Sequence, residues 1–508
     1  MRLPLLLCAA SAAALLTGCA VGPNFERPAT QTPGQYDSSD LPAGTTATAN
    51  PNGTPQAFAA GQDIPAEWWV LFHSEPLNAL IKQALKANPD LQAAEAALRE
   101  AQENEAAGSS ILFPEVDGGF STIRQKTSSA AAGGRAPSSL YTLHTAQVSV
   151  SYGIDLFGGS RRAVEELAAA TDFQRFQLEA AYLSLTANVV ATAVQEASLR
   201  GQIEATKQIL DQEDRQIDVT QKQLELGAIN KAPVLALQAT REQTRATLPA
   251  LDKQLSQTRH LLSVLIGQLP SNAPEATFTL DSMQLPETLP VTLPSKLVEQ
   301  RPDIRAAEAN LHAASAAIGV AEAARLPQIT LSADVGSQAL SLGKLFTPGM
   351  GIWDAGFNVA QTLFDAGRLG HQQGSAEAAF DVAAAQYRKT VLTAFEDVAD
   401  VLRALQADAD ALKARVDAEN VAHDSLDLFQ QQYNAGNASY LEVLSAEQTE
   451  QQTKLAVVQA EAQRYADTAA LFQALGGGWW NRTSDTTDVS SAEDKSQPAA
   501  GPNGDKHD

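Results

Sequence analysis

Between Arg161 and Leu226 the chain runs about 66 residues with no proline and a single glycine, Gly201. Apolar residues recur through it at helical spacing: Val164, Leu167, Phe173, Phe176, Leu185, Val189, Leu199, Ile203, Leu210, Ile217 and Leu224. One continuous helix of that length is about 100 Å long, far beyond an ordinary globular helix. Gly227 stops it, and a second helical run returns from Pro233 to Ile266.

The hairpin occurs twice. Arg301-Pro302-Asp303 matches Asn88-Pro89-Asp90, where a capping Asn, a proline at the first helical position and an early acid start a helix. Pro327 matches Pro114 at the same spacing, and Leu363-Phe364-Asp365-Ala366-Gly367-Arg368 is aligned with Leu156-Phe157-Gly158-Gly159-Ser160-Arg161. A second long helix from Leu369 stops at Gly436, the counterpart of Gly227, and Ser439 with Glu442 reads as a capping box for its return. The repeat is about 210 residues. Repeat 1 spans 65–290 with a helical hairpin over 161–266; repeat 2 spans 291–480 with a hairpin over 369–475.

Each repeat carries two strand-like segments, 116–124 and 143–156 in the first, 329–335 and 356–364 in the second. In the clearest of them, Val148, Val150, Tyr152 and Ile154 alternate with Gln147, Ser149 and Ser151. These segments are close to the length that a tilted membrane strand needs. Four strands leave open edges, which cannot face lipid, so several copies must pool their strands. Three copies give twelve. The fold class is α+β and mainly α, with a β-hairpin and a long helical hairpin from each repeat.

The N-terminus is a leader. Arg2 precedes a short apolar run, Leu3 to Leu16, and Leu16-Thr17-Gly18-Cys19 resembles a bacterial lipobox. Residues 1–18 are then a lipoprotein signal peptide, and Cys19 carries the lipid, palmitate included, that anchors the mature chain. Ala20 in the next position favours the outer membrane. Residues 19–64, rich in Pro, Gly, Thr and Ala, read as an extended arm, and Trp68, Trp69 and Phe72 as the place where it docks. Residues 481–508 read as a disordered tail.

Asp plus Glu number 59 against 36 Lys plus Arg, a net charge of -23. This argues against a nucleic-acid partner. The seven histidines are scattered, the mature chain has no second cysteine, and neither a metalloprotease motif, a nucleophile elbow nor a phosphate loop occurs, so no enzyme, metal site or cofactor is expected beyond the lipid on Cys19. Met283 and Met350 alone survive leader removal, too few for a methionine relay.

Together Cys19-Ala20-Val21-Gly22-Pro23-Asn24-Phe25, Asp155-Leu156-Phe157-Gly158, the Trp68-Trp69 segment and Arg301-Pro302-Asp303-Ile304-Arg305-Ala306-Ala307-Glu308 carry a resemblance. The chain is similar to the TolC-like outer-membrane efflux channels, in the lipoprotein branch of OprM and NodT type. The resemblance implies a homotrimer with a twelve-stranded β-barrel continuous with a periplasmic α-helical barrel. It also implies a Gram-negative outer-membrane location and a passive exit duct for drugs or other small molecules. An inner-membrane pump would deliver them through a periplasmic adaptor.

On that reading the hairpin tips contact the adaptor: Gly227, Ala228, Ile229 and Asn230 in repeat 1, and Gly436, Asn437, Ala438 and Ser439 in repeat 2. Pro233 stands where the family commonly has Asp. Asp424, Leu426 and Asp427, two to three turns before Gly436, are the gate candidates, as acidic and apolar rings about an axis. The competing reading is an envelope-bridging structural or adaptor lipoprotein without a pore.

Overall fold

The computed structural model describes residues 20–29, 34–37, 42–128 and 137–482. The expected leader (1–18) and lipid-bearing Cys19, part of the 128–139 loop and most of the expected tail (483–508) lie outside the described residues.

Two strands, β1 (Ala57–Ala60) and β4 (Thr288–Val291), pair in parallel. Four others form an antiparallel sheet in the order β2 (Glu115–Thr127), β3 (Ser139–Ile154), β5 (Gln328–Ala339), β6 (Gly351–Ala360). Among the helices are α1 (Glu75–Ala87), α2 (Pro89–Ser109), α3 (Gly159–Glu225), α4 (Ala232–Leu265), α5 (Pro294–Gln300), α6 (Pro302–Ala323), α7 (Arg368–Asn434) and α8 (Tyr440–Ala474). Helices α3 and α7 are each 67 residues long, close to 100 Å of continuous helix. The shorter α4 and α8 return along them.

The strand ends differ from the sequence reading, and pairing explains why. The segment 356–364 is a strand only to Ala360, which pairs with Gln328, the first residue of β5. Pro327 precedes it and has no N–H to donate, so Gln361 to Phe364 have no partner in this sheet. At its other end β6 begins at Gly351, five residues earlier than the alternation suggested, because β5 continues to Ala339. Strand β3 likewise ends at Ile154 rather than 156, where Asp155 turns to cap α3.

The register gives the sheet two unlike faces. Cross-strand neighbours Val116 and Val150, Val148 and Val335, Val335 and Trp353, and Leu331 and Phe357 share one face. Asp117, Gln147, Ser149, Asp334 and Asp354 share the other, where Gln147 donates to Asp334 at 3.1 Å. Phe120, Val335, Trp353 and Phe357 are exposed. The outer sides of β2 and β6 pair with nothing among the described residues.

The main core lies at the level of the small β1–β4 sheet, away from both the four-stranded sheet and the tips. Trp68, Trp69 and Phe72 are buried there with Leu77 and Ile81 of α1, Val189 and Val190 of α3 and Phe472 of α8. Trp68 stacks on Phe472 at 5.1 Å between ring centroids. Each such side chain stabilises the fold by roughly 2–3 kcal/mol through removal from water. The aromatic cluster therefore docks as its composition required.

The arm is extended and pinned at points along its length. Val21 N donates to the Phe157 carbonyl at 2.9 Å, Arg162 reaches Asn24 Oδ1 at 2.7 Å, and Arg27 forms a bidentate pair with Glu308 at 2.8 Å. Phe25 stacks on His312. After α8, Asn481 donates to the Ile64 carbonyl and Arg482 to Glu179, so 481 and 482 belong to the fold, not to a tail.

Candidate functional site

The exposed end of each helical hairpin is built in the same way. Helix α3 ends with Gly227 at φ +74° and α7 with Gly436 at φ +79°. Gly227 N donates to the Leu224 carbonyl and Ala228 N to that of Gln223; Gly436 N and Asn437 N repeat this on Tyr433 and Gln432. The pattern satisfies the last helical carbonyls and needs a left-handed residue, which glycine supplies without strain. A Cβ at either glycine would meet nothing within 4 Å, so both turns face open space.

The return helices start differently. Ser439 caps α8 in a complete capping box, with its N–H donated to Glu442 at 2.6 Å. In the first tip Asn230 Oδ1 accepts from Ala232 N at 3.0 Å, and Pro233 occupies the first turn of α4. Leu226 and Leu441, both strongly exposed, flank the tips. All eight tip residues singled out in the sequence therefore lie at one end of the molecule, in two glycine-ended turns.

The gate candidates separate. Asp424 and Asp427 are exposed on α7. Leu426 is 8% exposed and packs against Val443 and Ala446 of α8. It fastens its own hairpin together. Of the three gate candidates, Leu426 is thus turned into its own hairpin while the two acids beside it face outward.

The sequence reading missed a set of carboxylates near these positions. Glu213 of α3 accepts from Thr244 of α4 at 3.0 Å and from Gln451 of α8 at 3.3 Å. Glu450 of α8 meets His423 of α7 and Lys454, each at 2.9 Å. The bond to Glu450, with the Asp427 charge, raises the His423 pKa. Nearer the core, Glu196 is fully buried and held by Arg200 and Arg259. Glutamates on long polar helices look alike in sequence; only the neighbouring helix distinguishes a solvated one from a buried one. Closer to the tips, Tyr433 Oη donates to Gln223 at 3.2 Å and ties one hairpin to the other.

No described helix is long and apolar enough to cross a membrane. The two-faced sheet is the part of the chain whose exposed apolar side suits lipid, and the hairpins extend from its other end.

Residues 80–268 and 293–477 match the outer membrane efflux protein family, one repeat each. The pyoverdine export outer membrane protein OpmQ of Pseudomonas aeruginosa is 31% identical over 432 residues, which cover 83% of this chain and 90% of that protein. The cation efflux system protein CusC of Escherichia coli is 28% identical, covering 91% of this chain and 96% of CusC. Among solved structures, the outer-membrane channel OprN superposes with a TM-score of 0.82 at 26% identity, over 91% of this chain and all of OprN. Both halves of the chain, its sheet and its long hairpins are thus accounted for at once, and the protein belongs to the outer membrane efflux protein family.

Proposed function

We propose that three copies of this chain form a passive exit duct: a twelve-stranded barrel in the outer membrane, continuous with a tube of helical hairpins in the periplasm. The observation that carries this reading is the four-stranded sheet, apolar on one face and polar on the other, with both edge strands unpaired among the described residues. Such a sheet is stable in lipid only when its edges are closed, and a cyclic trimer closes them with no new kind of contact. Pooling the hairpins of three chains makes a ring of long helices below the barrel.

In this assembly the turns at Gly227–Asn230 and Gly436–Ser439 meet a periplasmic adaptor, through which an inner-membrane pump delivers its cargo. The lipid on Cys19 adds a second attachment beside the barrel. Asp424 and Asp427, exposed together on α7, are the acidic candidates for lining the narrow end. The work is transport and uses no cofactor. The names of the relatives span export of pyoverdine, toluene and cations, which supports a duct whose pump chooses the solute.

The native mass of the detergent-extracted protein, followed by single-channel recording in planar bilayers, tests this. A trimer with discrete conductance is expected. A monomer released without detergent would favour the envelope-bridging lipoprotein.

A further inference from the structure

Between the two hairpins, below the tips, α3 packs on α8, and Gln451 of α8 donates to Glu213 of α3 at 3.3 Å. Glu213 is 2% exposed; its Oε1 is satisfied by Thr244 and Gln451, and its Oε2 has no hydrogen-bond partner. Glu447 lies one helical turn before Gln451 on the same side of α8. Its own Oε2 is buried and unpartnered as well. Two ionised carboxylates in such a place repel and are poorly solvated; one proton between them removes the repulsion and supplies a missing donor.

We propose that Glu213 and Glu447 form a proton-operated latch between the two helical hairpins of one chain, closed when the pair holds a proton and loosened when both groups are ionised. In the closed state the Glu447 carboxyl O–H donates to the idle oxygen of Glu213, joining α3 to α8. The proton comes from and returns to solvent. Among the described residues no three His, Cys, Asp or Glu side chains group as a metal site.

The surroundings favour Glu447 as the carrier. Burial, with the charges of Glu213 and Glu450, pushes Glu447 up to about 7, and burial raises Glu213 too. The charged and titratable neighbours are Glu213 and Asp214 on α3 and Arg241 on α4. On α7 they are His423 and Asp427, and on α8 Tyr440, Glu450 and Lys454. The cations among them are already engaged: Arg241 with Asp214 and Glu242, and His423 and Lys454 with Glu450. Among the described residues none of these cations pairs with Glu447.

The duct reading supplies the consequence of the latch, since the same hairpins end in the tips. Hydrogen exchange of the full-length, detergent-extracted protein tests the latch itself, after correction for intrinsic exchange rates. Protection of residues 213–230 and 436–451 should fall roughly tenfold between about pH 6 and about pH 8. Glu447→Gln, whose amide mimics the protonated acid, should hold the low-pH protection at both. His423→Gln should keep the transition.

A wild-type protein with the same protection at both pH values would overturn the latch, with no mutant needed. So would a transition that survives in Glu447→Gln and vanishes in His423→Gln. A protein that shows the transition but never conducts would support the latch while removing the duct.

Discussion

Arg301 Nη2 donates to Asp397 Oδ2 at 2.9 Å, joining the residue before α6 to the middle of α7. The same guanidinium reaches Asp303 at 2.7 Å and the carbonyl of Ala474, at the end of α8, at 3.0 Å. One nearly buried side chain thus ties three helices of repeat 2. In repeat 1 the equivalent position is Asn88, which caps α2 by accepting from Asp90 N and Leu91 N. The two helix starts are alike in sequence position and different in work. Arg301→Ala leaves Asp397 and a buried carbonyl unpaired and should cost about 3 kcal/mol. Arg301→Lys should recover only part of this, because a single ammonium cannot span the same acceptors. Thermal unfolding of the detergent-extracted protein reads both; an unchanged midpoint in Arg301→Ala would remove the clamp.

Asp467 of α8 faces Asp408 of α7, and burial together with that neighbour pushes its carboxyl up to about 7. The native state therefore keeps a proton that the unfolded chain releases near pH 4. Between those values the native state binds more protons, so this pair's contribution to stability is full at acid pH, falls as pH rises to about 7 and is flat above. Asp467→Asn should match the wild type at low pH and exceed it at about pH 8. Carboxylates held below their usual range, such as Glu450 and Glu165, act in the opposite sense, so the difference between variant and wild type is the quantity to measure. A pH-independent difference would show that the pair does not share a proton.

What the sequence disclosed was local. Helical periodicity and the glycine stops placed the hairpins, because a helix and its C-terminal turn depend on residues within a few positions of one another. Strand ends depended on a partner far along the chain, as at Ala360 and Gln328. The repeat alignment also slipped at one turn. Sequence similarity sets Asp365 against Gly158, yet the left-handed residues that begin α3 and α7 are Gly158 and Gly367, at φ +82° and +89°. That pairing has the spacing of 209 residues that also separates Gly227 from Gly436. The side toward which Leu426 points, and the burial of Glu213, follow from how helices rotate against each other, and no single helix carries that information.

The arm enters through a contact between two glycines. A Cβ on Gly22 would come within 2.5 Å of Gly319 Cα, and a Cβ on Gly319 within 2.9 Å of the Val21 carbonyl oxygen. Gly319 lies in α6, so valine there cannot be absorbed by a loop. Gly319→Val should displace residues 20–25 and with them the stacking of Phe25 on His312. Chymotryptic cleavage after Phe25 should then accelerate by roughly tenfold, since it follows local opening. Cleavage at the wild-type rate would mean that the arm is held from elsewhere.

The tips make the last prediction, and here the absence of neighbours decides its form. Gly436 adopts φ +79° with nothing within 4 Å of an added Cβ, so a substitution meets backbone strain and no clash. Gly436→Val should cost about 2 kcal/mol locally, while Gly436→Asn, which tolerates the left-handed region, should cost much less. The strain falls on the turn that carries Asn437 and Ala438 and on the capping box at Ser439. The main aromatic core and the sheet lie elsewhere and should be untouched. Gly436→Val is therefore expected to extract with the native mass of the wild type yet fail to restore solute resistance to a deletion strain, with Gly436→Asn restoring it. Full restoration by the valine variant would show that the shape of this turn does not matter to the partner, and would move the contact to the first tip, where Pro233 follows Asn230.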